Sequence, residues 1–581
     1  MISKLLRILL ICGAVSLLAS AGIAGKVDLS FDHYNDAAGI YDALKQLNKA
    51  YPDFTELRSI GKSEEGRDIW LFTINNSKTG NDLEKPAVYV DGAIHGNEIQ
   101  ATEVCLYLAW YLLDSYGSNE VITELVDSRV FYIVPIVNVD NRERLMSQHK
   151  NYGIGRSAIV PYDDDRDGLA DEDDYDDLDG DGEILRMRIR DPQGNWKTHP
   201  DDPRVMVRIK PGEKGEWRRL GREGIDNDGD GRINEDTPGY LDMNRNYGFK
   251  WQPPYVQGGA GDFPMSAKPN EAITNFILTR PNICFDFAFH NSGGMWVRGP
   301  GSKLAGMYSP RDVAVYDYLG GEGEKIVPGY RYIIGSVDMY TTHGDFDEFM
   351  YSGFGIFGFV GELYMGGEQM TYRPIEVQKE TPDYWGSTYE TNRDREKLLF
   401  SDRVYQGNLF KEWKKFDHPQ FGEIEIGGWR TYASRITPPF QLLEQAHRNA
   451  AMVIFTAQNT PEISLELIDV KDLGDGLKRV RVAVNNAKAI PTLSNKAMRS
   501  NLARKDIFKI EGRGVEIVAG GFVSDLLYDR VNYVDHRPWI LFSNVPSFGT
   551  RNIEWIVKGN GKITVTFDAV KARNQTLNID L

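Results

Sequence analysis

His95 and Glu98 stand three residues apart in the stretch PAVYVDGAIHGNEIQATEV, where an apolar run hands over to a long segment with helical spacing. An imidazole and a carboxylate so placed can share a divalent cation, since each offers a lone pair to zinc. The pair alone is weak evidence. With nine histidines in 581 residues, about one His-x-x-Glu is expected at random. Its weight comes from other polar residues that end apolar runs. His290 ends ICFDFAFHN, Glu362 ends the apolar run in GIFGFVGEL, and LDMNRNY (241–247) groups Asp242, Asn244 and Arg245. Ligands of α/β sheets gather beyond the carboxyl ends of the strands, so these positions can converge although they are far apart in the chain.

The surrounding patterns are those of an α/β protein. Between residues 27 and 155, an amphipathic helix ended by Pro52, the strands DIWLFTINN and KPAVYVDG, the helix IQATEVCLYLAWYLLDSYG and the strand RVFYIVPIVNVD follow one another. The rhythm breaks over 155–240, returns after about 240 and continues to about Asn459, ending with the helical FQLLEQAHRNAAMVIFTAQ. From about 460 to 581 the segments ISLELIDVKDL, LKRVRVAVNNAKAI, GVEIVAGGFV and GKITVTFDAV have period-two alternation between turn residues, as in a β-sandwich. The expected organisation is a signal segment (1–24), an α/β domain (27–459) with an Asp-rich insert (155–240), and a sandwich (460–581).

The formal net charge of −17 is mostly local. Residues 163–183 hold 13 acids and one arginine, which leaves the rest of the chain only mildly acidic. Two segments, DDDRDGLADED (163–173) and DNDGDGRINED (226–236), share the frame D-x-D-x-D-G-x-x-x-E-D. Alternating carboxylates followed by a glycine turn can surround a hard cation with oxygens, so calcium is expected on Asp163, Asp165, Asp167, Asp171 and Asp173, and on Asp226, Asp228, Asp230, Asn234 and Asp236. DLDGDGEI (177–184) is a shorter third loop. The flanking helices of an EF-hand are not evident, which points to bracing rather than sensing. No basic stripe appears, so nucleic acid is not an expected partner.

The N-terminus, MISKLLRILLICGAVSLLASAGIAG, has a short basic region, an apolar stretch and Ala19-Ser20-Ala21, the pattern of a secretory signal peptide. A secreted or periplasmic location is therefore expected, with no transmembrane segment after cleavage. Cys12 leaves with that segment, and Cys105 and Cys284 read as buried free thiols in apolar elements.

At this point the chain resembles the zinc carboxypeptidase family, the carboxypeptidase A-like metallopeptidases. The resemblance rests on His95-Gly-Asn-Glu98, Asp242-Met-Asn244-Arg245-Asn246, FAFHNS with His290, and VGELYM with Glu362, in the family order, and covers about 30–455. It implies a mixed-sheet α/β/α domain. It implies a zinc ion on His95, Glu98 and His290 that activates water, Glu362 as the general base, and Asn244 and Arg245 as the clamp for the substrate's free carboxylate. It further implies an arginine for the oxyanion, best matched by Arg188 in RMRIR, with Arg186 and Arg190 as alternatives, and a substrate-contacting Tyr340. Phe346 falls near the family's side-chain pocket, which hints at an apolar C-terminal residue. VNVDN (137–141) departs from the family's N-P-D-G, so that loop is expected to be remodelled. The expected partners are peptide or protein C-termini. Two other readings stay open: an amidase of cell-wall peptides with γ-linked diaminopimelate, and a non-catalytic, calcium-dependent peptide-binding surface protein. A general base at Glu362 favours the enzyme.

Overall fold

A computed structural model describes residues 26–147, 155–163, 166–236, 239–364, 392–430, 432–433 and 435–581. The expected signal segment 1–24 and the calcium candidate Asp165 lie outside them.

The α/β domain is built on an eight-stranded mixed sheet. Across the sheet the strands run Thr55–Lys62, Asp68–Ile74, Val130–Val134, Ala87–Gly92, Ile283–Asn291, Phe357–Leu363, Met295–Arg298 and Arg331–Ile334. The central four are mutually parallel. Parallel strands need crossover connections that cover the sheet with helices, so both faces are buried. All nine residues of Ile283–Asn291 are buried as a result, including Asp286, although the sequence alternates. The helices Ala37–Ala50, Gln100–Asp114, Pro310–Ile326 and Pro439–Gln458 cover one face, and Lys268–Leu278 and Phe346–Phe349 the other. Asp36 caps the first of these helices, its side chain accepting from Gly39 N at 2.7 Å.

The Asp-rich insert is more ordered than its composition suggests. Four of its strands, Arg186–Arg190, Trp196–Thr198, Met206–Arg208 and Trp217–Arg222, join Phe410–His418 and Gly422–Trp429 in a six-stranded sheet. Leu185, Met187, Ile424 and Ile426 form its small apolar core. The C-terminal region is a sandwich of a five-stranded and a four-stranded sheet around Val480, Val482, Phe508, Trp555, Val565 and Phe567. It docks on the α/β domain, where the Arg573 guanidinium donates to Asp127 O at 2.6 Å and Ser494 Oγ to Gly355 O at 2.8 Å. Cys105 and Cys284 are buried and unpaired. Among the described residues, no helix is long and apolar enough to cross a membrane.

Candidate metal and substrate site

The strand ends deliver the expected side chains to one place. His95 and Glu98 follow the strand ending at Gly92, and Glu362 lies in register opposite His290 on the neighbouring parallel strand. His95 Nδ1 lies 3.0 Å from Glu98 Oε1, His290 Nδ1 lies 2.9 Å from Glu98 Oε2, and the two Nδ1 atoms are 3.1 Å apart. All three residues are buried.

The opposite ring edges are held from outside this cluster. His95 Nε2 faces Asp242 Oδ1 at 3.1 Å, and His290 Nε2 faces the Asn244 amide nitrogen at 3.4 Å. A carboxylate at Nε2 fixes the proton there, which leaves the His95 Nδ1 lone pair aimed at the Glu98 carboxylate. Two electron-rich groups facing each other at 3.0 Å in a buried site call for a cation between them. Glu98 Oε2 likewise has no hydrogen-bond partner. This donor set, two imidazole nitrogens and one carboxylate, suits zinc.

A cavity of about 350 Å³ opens on this cluster and is lined by Arg156, Asn244, Arg245, Tyr340, Glu362 and Arg435. Its enclosure pushes the Glu362 carboxyl up to about 7, opposed by His290 and reinforced by Glu98. The Arg245 guanidinium donates to Asn244 O at 2.6 Å and approaches the Tyr340 hydroxyl at 3.5 Å. Asn244 Oδ1 accepts from Phe346 N at 2.8 Å, so the Asn244 side chain also fixes local backbone. Tyr340 is half exposed.

Arg188 is not part of this site. It lies in the six-stranded sheet, sandwiched between Trp217 and Trp413 at 4.0 and 4.1 Å and paired with Glu425 at 2.6 Å. RMRIR is a strand in which alternate arginines share one face, and the tryptophans there have claimed Arg188. Arg190 also stacks on Trp217, at 3.9 Å, and Arg186 lines a different cavity.

The arginine that does face the cluster is Arg156. Its Nε donates to Asp242 Oδ2 at 3.0 Å, and its Nη1 lies 3.6 Å from Glu98 Oε1. Burial disfavours the charge, but Asp242 and Glu98 hold its pKa above the usual arginine value. The loop at 137–141 explains its placement. Asn138 donates to Arg156 O at 3.1 Å and Ser157 O at 2.9 Å, and Asn141 also bonds Ser157 O. Gly96 lets this strap close, since a Cβ there would lie 2.6 Å from Gly155 O. Arg435 was also missed. It donates to Asn291 O at 3.1 Å, lies 3.7 Å from Glu98 Oε1, and comes from an irregular stretch with no periodic signal.

Phe346 does not line the cavity. It is buried against Tyr89 and Tyr247, with ring centroids 5.9 and 5.0 Å away. Its neighbours Asp345 and Asp347 line the cavity, together with the apolar Val297, Met339 and Val360, so Phe346 itself does not carry the hint of an apolar side-chain pocket. Asp345 accepts from Thr342 Oγ1 at 2.8 Å and from Glu348 N at 3.1 Å. Burial pushes the Asp347 carboxyl well up, and the adjoining Asp345 carboxylate pushes it further.

The repeated acidic loops interlock. Asp163 and Asp226 each accept two backbone N–H groups within their own loops, Asp167, Asp228 and Asp230 accept one each, and each loop reaches across to the other. Asn234 N donates to Asp173 at 2.8 Å, and Asp171 N donates to Asp236 at 3.1 Å. Carboxylate oxygens converge within 4.8 Å in Asp226/Asp228/Asp230, Asp173/Asp228/Glu235 and Asp177/Asp179/Glu223. Glu172 and Glu235, equivalent in the repeat, were not among the expected ligands although the shared frame contains them. Both carboxylate oxygens of each are buried without a hydrogen-bond partner.

Parts of the chain are similar to known proteins. Residues 40–179 match the family model described as zinc carboxypeptidase, and residues 462–580 match a domain family of unknown function. Carboxypeptidase D of Rattus norvegicus is 36% identical over 122 residues, which is 21% of this chain and 9% of that protein. Carboxypeptidase M of Mus musculus is 32% identical over 130 residues, 22% of this chain and 29% of that one. The matched segments thus span less than a third of these relatives' own length. The structure of carboxypeptidase A from Helicoverpa armigera has 16% identity and a TM-score of 0.40, covering 63% of this chain and 72% of that one. The segment matched to the family contains His95, Glu98 and Arg156, and the fold adds His290 and Glu362 to them: the chain contains a zinc carboxypeptidase-like α/β domain.

Proposed function

We propose that this chain is a secreted, zinc-dependent metallocarboxypeptidase that removes C-terminal residues, preferentially cationic ones. The observation that carries the reading is the convergence of two imidazole Nδ1 atoms on the buried Glu98 carboxylate, beside Glu362, in a cavity whose wall carries the Arg245 fork. Zinc held by His95, Glu98 and His290 would acidify water and polarise a peptide carbonyl. Glu362 accepts the proton of the attacking water and returns it to the leaving amine. Arg245 takes the substrate's terminal carboxylate, with Tyr340 closing over it. Arg156 is the donor placed for developing negative charge on the carbonyl oxygen. Asp345 and Asp347 offer a cationic side chain two carboxylates. The second reading, a cell-wall peptide amidase, draws on the same two acids, because diaminopimelate also ends in an ammonium group. Calcium on the interlocked loops is proposed as a brace, supported by the unpartnered Glu172 and Glu235 oxygens. The signal-like N-terminus supports action outside the cytoplasm.

Metal analysis of the purified chain, paired with hydrolysis of blocked dipeptides and of a cell-wall stem peptide, tests the reading. We expect about one zinc per chain and release of a C-terminal Lys or Arg. Release from the stem peptide alone would favour the amidase, and zinc without turnover would favour a binding role. Calcium chelation with zinc retained is expected to lower Tm, and an unchanged Tm would remove the brace.

The two arginines separate cleanly. Arg156→Ala is expected to lower kcat/KM by about 10²-fold, as loss of an oxyanion donor does. Arg188→Ala is expected to lower Tm and leave kcat/KM within a factor of about two, because it loses packing and an ion pair remote from the cavity. The reverse pattern would return the oxyanion role to Arg188.

A further inference from the structure

The six-stranded sheet carries a second cavity, of about 380 Å³, that the peptidase reading does not use. Arg186, Arg219 and Arg222 line it together with Phe410, Trp413 and Trp429. Strand register places these charges side by side. Arg186 pairs directly with Arg222, and Arg188 with Arg219, across neighbouring antiparallel strands. Like charges directly opposite one another destabilise a sheet.

Four other arginines of this region stand against carboxylates. Arg188 pairs with Glu425, Arg218 with Asp191, Arg204 with Asp202 and Asp402, and Arg430 with Glu183. Among the described residues, Arg186, Arg219 and Arg222 have no carboxylate within 4 Å. The guanidinium of Arg222 donates one long hydrogen bond, to Ile184 O at 3.4 Å, and lies over the Tyr175 ring at 6.0 Å. Asp394 is the one carboxylate on the described wall, and its charge acts on Arg219. In a chain with a net charge of −17 carboxylates are abundant, yet among the described residues none forms an ion pair with these three forks. Arg219 stacks on Trp196 at 3.4 Å, which holds its plane and leaves its N–H edge free to bond. Burial and the Arg186 charge lower its pKa to about 10, against a smaller opposing pull from Asp394.

We infer that this cavity binds an oxyanion, a carboxylate or phosphate group, in the forks of Arg186, Arg219 and Arg222, with the body of the ligand against Trp413 and Trp429. Guanidinium forks match such groups bidentately, and the indoles supply a planar apolar wall. The site is separate from the zinc cluster, so its fate does not depend on the peptidase reading.

The wall tryptophans give a local readout. The full chain is titrated with sodium sulfate, standing in for phosphate, and with sodium glutarate, each against sodium chloride at equal ionic strength. Tryptophan fluorescence is expected to change saturably in the millimolar range. Tighter binding of sulfate assigns a tetrahedral ligand, and tighter binding of glutarate a carboxylate. In the double variant Arg186→Gln/Arg222→Gln the affinity is expected to fall at least about tenfold. Arg186→Gln alone is expected to raise Tm by about 1–3 °C in chloride, because it removes the cross-strand repulsion. If the double variant does not fold, Arg219→Gln serves in its place. The inference is overturned if the wild-type signal does not saturate, or if the same titration curve persists in the variants.

Discussion

Replacing Glu362 with glutamine is expected to reduce turnover by about 10³-fold while zinc stoichiometry stays unchanged. The two halves of this result follow from different parts of the geometry. Glu362 is outside the trio whose ligand atoms converge, His95, Glu98 and His290, so the metal does not depend on it. It reaches the same cavity because its strand pairs in parallel with the His290 strand, residue for residue. An amide of the same shape fills the same space but cannot accept a proton. Enclosure holds the carboxyl up to about 7, so an uncharged amide is tolerated there and the fold is not expected to suffer. The expected signature is an intact Tm, about one zinc per chain, normal capture of a C-terminal dipeptide and almost no release. Full activity in this variant would remove the general base from the proposal and force the proton onto another group. Loss of zinc would mean that the carboxylate helps hold the metal.

Much of this site was legible in the sequence, for a definite reason. The residues of this cluster are recorded locally: an apolar run, then a polar residue with few neighbours of its kind. His95, Glu98, His290 and Glu362 all have that signature, and parallel pairing brings the strand ends to one edge of the sheet. The sandwich was legible through its alternation, which the structure resolves into two sheets over one core. Arg156 and Arg435 were not legible, because each comes from irregular backbone placed by tertiary bonds. Arg156 depends on Asn138, Asn141 and the missing Cβ of Gly96. Arg188 was misplaced because RMRIR supplies arginines in a row, and nothing local says that tryptophans from other strands will stack on them. The insert read as loop because its strands are short and separated by polar turns, with partners more than two hundred residues away, as in the Arg188–Glu425 pair.

Asp347 is expected to set which C-terminal residue is removed. The wild-type chain should hydrolyse a blocked dipeptide ending in Lys or Arg about 10–100 times faster, in kcat/KM, than one ending in Phe. Asp347→Asn should erase most of that preference while changing the Phe substrate by no more than a few-fold. The magnitude follows from one charge-assisted hydrogen bond in a site shielded from water. Asp347 faces the cavity and is buried beside Asp345, whose own oxygens are already engaged by Thr342 and Glu348 N. Burial and the adjoining Asp345 carboxylate both raise the Asp347 pKa, so the empty pocket favours its protonated form. A cationic side chain reverses that balance: the ammonium or guanidinium replaces the proton, and binding should release it. Affinity for the Lys substrate should therefore rise with pH as the empty pocket's proton is lost, while affinity for the Phe substrate stays flat over the same range. The same sign governs stability. A carboxyl whose folded pKa is raised contributes fully only below its unfolded value, about 3.9, and the contribution is lost as pH rises through the folded value. Asp347→Asn is thus expected to raise Tm at neutral pH even as it abolishes the preference. A higher Tm with the preference for Lys and Arg intact would leave Asp347 as buried structure and move the choice of residue to another part of the wall.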